Sequence, residues 1–120
     1  MAQNLGSSGA ELRPVDLRRQ FKGRFKHPEM LSLLAATFQA LGDPSRVRII
    51  WALSRTELCV GDIAELLEMS QPAVSHHLRM LRNMRLVRVR RSGRTSFYQL
   101  DDAHIARLLN EGIEHVEDLL

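Results

Sequence analysis

The sequence predicts a mainly α-helical fold with a small β-hairpin, arranged as a winged helix-turn-helix that is dimeric through its terminal helices. Apolar residues recur at helical spacing in several separate segments, and two short helical segments are separated only by Glu68-Met69-Ser70. A basic, alternating run that predicts a β-hairpin follows them. A chain of 120 residues has room for one domain and buries only part of its surface, so a second copy is an expected source of additional core.

The first residues of the chain predict a tail. Residues 1–14 begin with MAQNLGSSGA, which is polar and rich in Gly and Ser, so we expect a flexible N-terminal tail before a domain at 15–120. No apolar stretch follows a basic start, which argues against a secretory signal, and no apolar run is long enough to cross a bilayer. The single Cys59 excludes an internal disulfide. We therefore expect a cytoplasmic protein with no membrane partner.

Three helices are predicted before the helix-turn-helix. Val15 to Lys26 is basic and loosely periodic, whereas Glu29 to Leu41 has apolar residues at clear helical spacing. Asp43 is a good N-cap and Pro44 suits the first helical position, so a third helix is expected from there to about Arg55. The core residues expected from this third helix are Val47, Ile50, Trp51 and Leu53.

The predicted helix-turn-helix consists of Val60 to Leu67 and Gln71 to about Met84. Ser70 is a good N-cap for the second helix, and Pro72 costs no hydrogen bond there because N–H groups of the first turn have no intrahelical partner. Residues recurring three and four apart are expected to face the core, with His77 as a satisfied packing histidine: Val74, His77, Leu78 and Leu81. The outward face is then Gln71, Ser75, His76, Arg79 and Arg82.

A wing and a long helix complete the predicted fold. Leu86 to Arg91 alternates between apolar and basic residues, Thr95 to Leu100 is a second β-prone run, and Ser92-Gly93-Arg94 between them predicts a hairpin tip. Ala103 to about Leu119 predicts an amphipathic helix. Its apolar seam consists of Ile105, Leu108, Leu109, Val116 and Leu119. A terminal helix with so wide a seam needs a surface to pack against, and a second copy of the chain would supply one.

The distribution of charge is more informative than the net charge of +3. Residues 71–100 contain seven arginines and no acidic residue, whereas residues 101–120 contain six acidic residues and a single arginine, Arg107, with no lysine. An isolated basic helix face is most often a solvated surface, but an acid-free stretch that spans a helix, a turn and a hairpin favours binding to a polyanion. The sequence therefore predicts a nucleic-acid surface followed by a cation site.

The candidate cation site has the pattern D-x-H-x10-H-x-x-D, formed by Asp102, His104, His115 and Asp118. His115 and Asp118 share a helix face, and Asp102 can converge with His104 because the helix begins there. The two pairs lie about 16 Å apart along one helix, too far to share an ion. An antiparallel pairing with the same helix of a second chain brings Asp102 and His104 opposite His115 and Asp118 of the other copy, twice in a dimer.

Two imidazoles and two carboxylates suit tetrahedral Zn(II), with Co(II) as a possible substitute, and four protein ligands leave no open position for catalysis. On spacing alone, a second interpretation remains equally open. Asp102 would then be an ordinary N-cap, and both histidines would be surface residues of an acidic helix.

Four motifs in this order resemble the ArsR/SmtB family of bacterial metal-sensing winged-helix repressors. They are LGDPSRVRII (41–50), ELCVGDIAELL (57–67), SQPAVSHHLRMLRNMRLVRVRRSGR (70–94) and YQLDDAHI (98–105). The resemblance implies a homodimer that binds double-stranded operator DNA through two recognition helices and flanking wings. It also implies that zinc binding releases this homodimer from the DNA. It also places a zinc site at Asp102, His104, His115 and Asp118, although the last ligand in the family's zinc sensors is often Glu or His.

The expected DNA-binding residues lie on the recognition helix and the wing. Base reading is assigned to the N-terminal part of the helix, and phosphate binding to the arginines. The set is Ser70, Gln71, Ser75, His76, Arg79, Arg82, Arg90, Arg91 and Arg94.

The resemblance offers a second metal site, of which only half is present. Cys59 and Asp62 match it, but the additional thiolates that relatives use are absent, and Gly61 occupies one of those positions. A vestigial site with Cys59 as a small buried core residue is therefore expected.

Two other functions compete with this interpretation. A hydrolase lacks a nucleophile–base pair, a phosphate loop and an open metal position, so we expect no enzyme and no small-molecule substrate. The stronger rival is a winged-helix regulator that senses another signal, such as a thiol oxidant at Cys59, with zinc only structural.

Overall fold

The computed structural model describes residues 11–120, which form two units that divide between Leu34 and Ala35. In the first unit, helix α1 spans Pro14–Arg24, and the Asp16 carboxylate accepts hydrogen bonds from the Arg13 N–H and Nε. No residue of α1 is buried, although Leu17 and Phe21 are apolar. The predicted tail at residues 1–14 lies mostly outside the described residues, and the helix already begins at Pro14.

Helix α2 spans Met30–Leu41, so it begins in the first unit and ends in the second. The other elements of the second unit are α3 (Pro44–Arg55), β1 (Leu58–Cys59), α4 (Val60–Leu67), α5 (Gln71–Asn83), β2 (Val87–Ser92), β3 (Thr95–Leu100) and α6 (Ala103–Glu117). These bounds confirm the predicted mainly α-helical winged helix-turn-helix. No helix among residues 11–120 is long and apolar enough to span a bilayer.

Asp43 caps α3 as its sequence position predicts. Its backbone is extended, and its carboxylate accepts a hydrogen bond from the Arg46 N–H at 3.0 Å. This bond lowers the pKa of Asp43 below its ordinary value, because it stabilises the ionised carboxylate.

The sheet has three antiparallel strands in the order β1-β3-β2. Ser92 pairs with Thr95, so the hairpin turns on Gly93-Arg94, with Gly93 at a φ of 65°. The sequence reasoning missed strand β1, because a strand of two residues carries no alternation pattern.

The two faces of the sheet differ in composition because register partners project from the same face. Leu58, Tyr98 and Val89 are aligned across the three strands, and the first two pack against the core. Phe97 is aligned with both Cys59 and Arg90, so these three residues belong to the opposite, outer face.

The core of the second unit joins α3, α4, α5 and the inner face of the sheet. Its largest fully buried side chains are Ile49, Ile50, Ile63, Leu78, Leu81, Val74 and Val87. The prediction that Trp51 is a core residue is wrong, since Trp51 is 46% exposed. At about 100° per residue, Ile49, Ile50 and Leu53 point one way and Trp51 points to the opposite side of α3. Val47, also predicted as core, is half-buried.

Candidate nucleic-acid interface and metal-binding helix

The turn between α4 and α5 is held by backbone and side-chain hydrogen bonds. Glu68 adopts the left-handed conformation with a φ of 55°, and its N–H donates to carbonyls of the last turn of α4. The Arg48 guanidinium donates to the Leu67 carbonyl, and the Ser70 hydroxyl accepts from the Ala73 N–H at 3.2 Å. These bonds satisfy the ends of both helices and fix where α5 begins.

Helix α5 separates its two faces as predicted. Val74, Leu78 and Leu81 are buried against the core. The outward candidates Ser70, Gln71, His76, Arg79 and Arg82 are exposed, and Ser75 is half-buried. Their amide, hydroxyl, imidazole and guanidinium groups are therefore available to bases and phosphates.

His77 differs from its expected role. The ring is half-buried beside the ring of His76, with 5.8 Å between the ring centroids. Its Nδ1 is buried and has no hydrogen-bond partner among the described residues, so the prediction of a satisfied packing histidine is wrong in that respect.

The wing presents arginines in two different environments. Arg91 and Arg94 are exposed, and within residues 11–120 no ion pair engages either of them. Arg90 instead donates from Nε and Nη2 to the two carboxylate oxygens of Glu57, at 2.9 and 2.8 Å. Sequence reasoning missed Glu57, because the two residues are 33 positions apart and only the sheet register brings them together.

The first turn of α6 brings two predicted metal ligands together. The Asp102 Oδ1 accepts a hydrogen bond from the His104 N–H at 2.9 Å, so Asp102 is the N-cap of the helix. The same oxygen lies 3.2 Å from His104 Nδ1; the imidazole is largely exposed and the carboxylate side chain is half exposed. The carboxylate and the imidazole are therefore close enough to serve one cation.

The other two predicted ligands lie at the opposite end of α6. His115 is in the last turn and Asp118 is the C-cap with helical backbone angles, and both are exposed. Within residues 11–120 of one chain, no three His, Cys, Asp or Glu side chains could hold a metal ion together. The four predicted ligands thus lie two at each end of α6, as the rise of a helix requires.

Among the described residues, the C-terminal segment has exposed apolar surface. Ile105 is the only buried residue of α6, while Leu108 and Val116 are 36% and 51% exposed, and Leu119, just beyond the helix, is 70% exposed. A cavity of about 730 Å³ lies against this helix, and Phe38, Val47, Leu109 and His115 contribute to its lining. His115 therefore borders an apolar groove.

The two residues of the predicted vestigial site lie at the start of α4. Cys59 is half-buried and is the N-cap of α4, while Asp62 is exposed in the first turn. The expectation that Cys59 belongs to the buried core is wrong, because the pairing with Phe97 places it on the outer face of the sheet.

Comparison with known proteins identifies the family. The family model described as "Bacterial regulatory protein, arsR family" matches residues 43–89. A "Transcriptional repressor SmtB homolog" from Synechocystis sp. is 47% identical over 96 residues, which cover 76% of this chain and 73% of that protein. A "Cadmium resistance transcriptional regulatory protein CadC homolog" from Staphylococcus aureus is 39% identical over 87 residues, 72% of each chain.

A similar solved structure is the homodimeric winged helix-turn-helix DNA-binding domain of a possible ArsR-family transcriptional regulator from Mycobacterium bovis. It superposes with a TM-score of 0.68 at 29% identity, covering 74% of this chain and 82% of that one. These relatives are transcriptional regulators, which confirms the prediction that the chain is not an enzyme. The chain belongs to the ArsR/SmtB family of winged helix-turn-helix transcriptional regulators.

Proposed function

We propose that this protein is a cytoplasmic, metal-responsive repressor whose metal-free homodimer binds operator DNA and is released when Zn(II) binds between the two α6 helices. Asp102 and His104 of one chain would join His115 and Asp118 of the other, giving two equivalent sites. The observation that carries the proposal is the separation of these four exposed donors into two pairs at opposite ends of one helix.

The exposed apolar groove supports the dimer. Leu108 and Val116 on the helix that carries the donors, and Leu119 just beyond it, expose apolar surface, and removing such surface from water is favourable. An antiparallel second copy of α6 would cover this surface and bring the two ends of the helices together. Assembly and metal binding would therefore use the same helix.

The donor set fits a borderline or hard divalent metal. Two imidazoles and two carboxylates suit Zn(II) or Co(II) and lack the thiolates that softer ions prefer. A cadmium-resistance regulator is among the relatives, so cadmium is a necessary comparison in any metal titration. Asp102 already orients towards His104, which reduces the ordering needed at one half of each site.

The DNA surface would be α5 together with the wing. Gln71, Ser75, His76 and Arg79 would read base edges in the major groove. The remaining contacts, to phosphates, would come from Ser70, Arg82, Arg90, Arg91 and Arg94. Because α6 follows the wing directly, a change in how the two α6 helices pack would alter the spacing between the two α5 helices. Zinc can release DNA only if it binds more tightly to the dimer conformation that fits the operator poorly.

Titration of zinc into a protein–DNA complex tests the proposal. The DNA is a duplex selected from a random pool by the metal-free protein, and fluorescence anisotropy reports release. We expect zinc to lower DNA affinity in the wild type and in Cys59→Ser alike, since the thiol is not a ligand of the proposed site. If zinc binds without changing DNA affinity, the metal is only structural; if Cys59→Ser abolishes the response, the sensing site involves the thiol instead.

A further inference from the structure

The wing is tied to the segment before β1 by one charged contact. Both carboxylate oxygens of Glu57 accept hydrogen bonds from Arg90, at 2.8 and 2.9 Å, although the chain between them contains the whole helix-turn-helix. Two parallel charge-assisted bonds of this kind fix the plane of the guanidinium as well as its position.

An aromatic ring supports the same guanidinium from a second side. The Arg90 Cζ lies 5.0 Å from the centroid of the Phe97 ring, within the range of a cation–π contact. Phe97 is the register partner of Arg90 on β3, so the strand pairing itself places the ring beside the arginine. Arg90 is therefore held by a carboxylate and a ring while remaining half exposed to solvent.

The contact also changes the charge that the wing presents. The hydrogen bonds from Arg90 lower the pKa of Glu57, so its carboxylate is ionised at neutral pH and offsets the arginine's positive charge. Phosphate binding by a protein cation gains affinity through release of counterions from DNA. A cation that is already neutralised by a fixed carboxylate contributes less to this release.

We propose that Glu57 is a positioning residue of the DNA-binding surface: it holds Arg90 against Phe97 and withholds its charge from DNA phosphates. Phosphate binding by the wing then depends on Arg91 and Arg94, which are exposed and engaged in no ion pair within residues 11–120. This inference rests on the proposed use of the wing in DNA binding. It makes the contribution of Arg90 to phosphate binding smaller than those of Arg91 and Arg94. Glu57 limits the sequence-independent part of the affinity and leaves the base-reading face of α5 unchanged.

A double-mutant cycle between Glu57→Gln and Arg90→Ala tests the inference. DNA affinity is measured for the full chain against the selected duplex and a scrambled duplex, between 50 and 200 mM salt. Glu57→Gln should release Arg90 to contact a phosphate and steepen the slope of log affinity against log salt by about 0.9 for each wing that gains a contact. For each wing that gains a contact, this amounts to an additional loss of about threefold to fourfold in affinity across that salt range, on both duplexes.

The control arms separate positioning from stability and from the proposed function. In the Arg90→Ala background, Glu57→Gln should leave the slope of log affinity against log salt unchanged. Among single variants, Arg91→Ala should flatten that slope more than Arg90→Ala does. An unchanged or flatter slope in Glu57→Gln, or the same steepening without Arg90, would overturn the inference. Loss of affinity in Arg91→Ala would still support DNA binding by the wing. Wild-type affinity in both Arg91→Ala and Arg94→Ala would count against the proposed use of the wing, whatever Glu57→Gln does.

Discussion

Asp102 uses one carboxylate oxygen for two contacts with His104: it accepts a hydrogen bond from the His104 N–H at 2.9 Å and lies 3.2 Å from the ring Nδ1. The N-cap role that the sequence left as an alternative is therefore present. It is compatible with metal binding, because a cap that holds the imidazole beside the carboxylate also gathers two donors at the start of α6. The N-cap and the proposed metal ligation can therefore be present in the same arrangement.

Arginine substitutions should separate the contributions of helix and wing to DNA binding. Arg79→Ala and Arg94→Ala each remove an exposed cation, so both should lower DNA affinity and flatten its salt dependence by about 0.9 for each lost phosphate contact. Anisotropy titrations at several salt concentrations measure both quantities. Arg107→Ala, which lies on the exposed part of α6 outside the proposed surface, is the matched control. Wild-type affinity and slope in both variants would rule out the assigned DNA surface.

The packing of α4 and α5 predicts a contrast between two leucines. Leu81 is completely buried in the core, whereas Leu66 is 56% exposed on α4. Leu81→Ala should lower the free energy of unfolding by about 3 kcal/mol, because it removes transfer energy and leaves a cavity. Leu66→Ala should cost much less, and urea denaturation of the two variants compares them. Equal losses would contradict the position of α5 in the core.

The cap of α3 predicts a dependence on pH. The hydrogen bond from the Arg46 N–H lowers the pKa of Asp43 from 3.8, so the ionised form stabilises the folded state. This contribution is present above pH 3.8 and is lost as the pH falls through the lowered value. The stability of the wild type relative to Asp43→Asn, which keeps a capping oxygen without a charge, should therefore decline in that acidic range. Urea midpoints that remain parallel down to pH 3 would contradict this role of Asp43.

Regular periodicity and capping residues made most of the fold predictable. Asp43-Pro44 and Ser70 mark the starts of α3 and α5, and both caps form as expected. Trp51 was assigned to the core as one of the apolar residues of α3, but it lies on the opposite side of that helix from Ile49, Ile50 and Leu53. Strand β1 was missed because two residues give no pattern, and its pairing with β3 moves Cys59 out of the core.

The candidate site was predictable only where it is local. The convergence of Asp102 with His104 follows from their position at a helix start. The Glu57–Arg90 contact was not predictable, because it depends on the register of three strands. In the proposed function, the other two ligands for His115 and Asp118 come from a second chain, so residues 11–120 of a single copy contain no group of three ligands.

The central claim is that each metal site is shared between two chains, and complementation between two variants tests it most directly. His104→Ala and His115→Ala should each abolish zinc-induced release of DNA while the metal-free proteins remain dimers that bind DNA. In a heterodimer of the two, one chain keeps His104 and its partner keeps His115, so one intact site is restored. We expect a refolded equimolar mixture, with heterodimer formation verified by mass spectrometry, to bind zinc and to release DNA where neither variant does. Heterodimers that bind no more zinc than the separate variants would contradict the shared site.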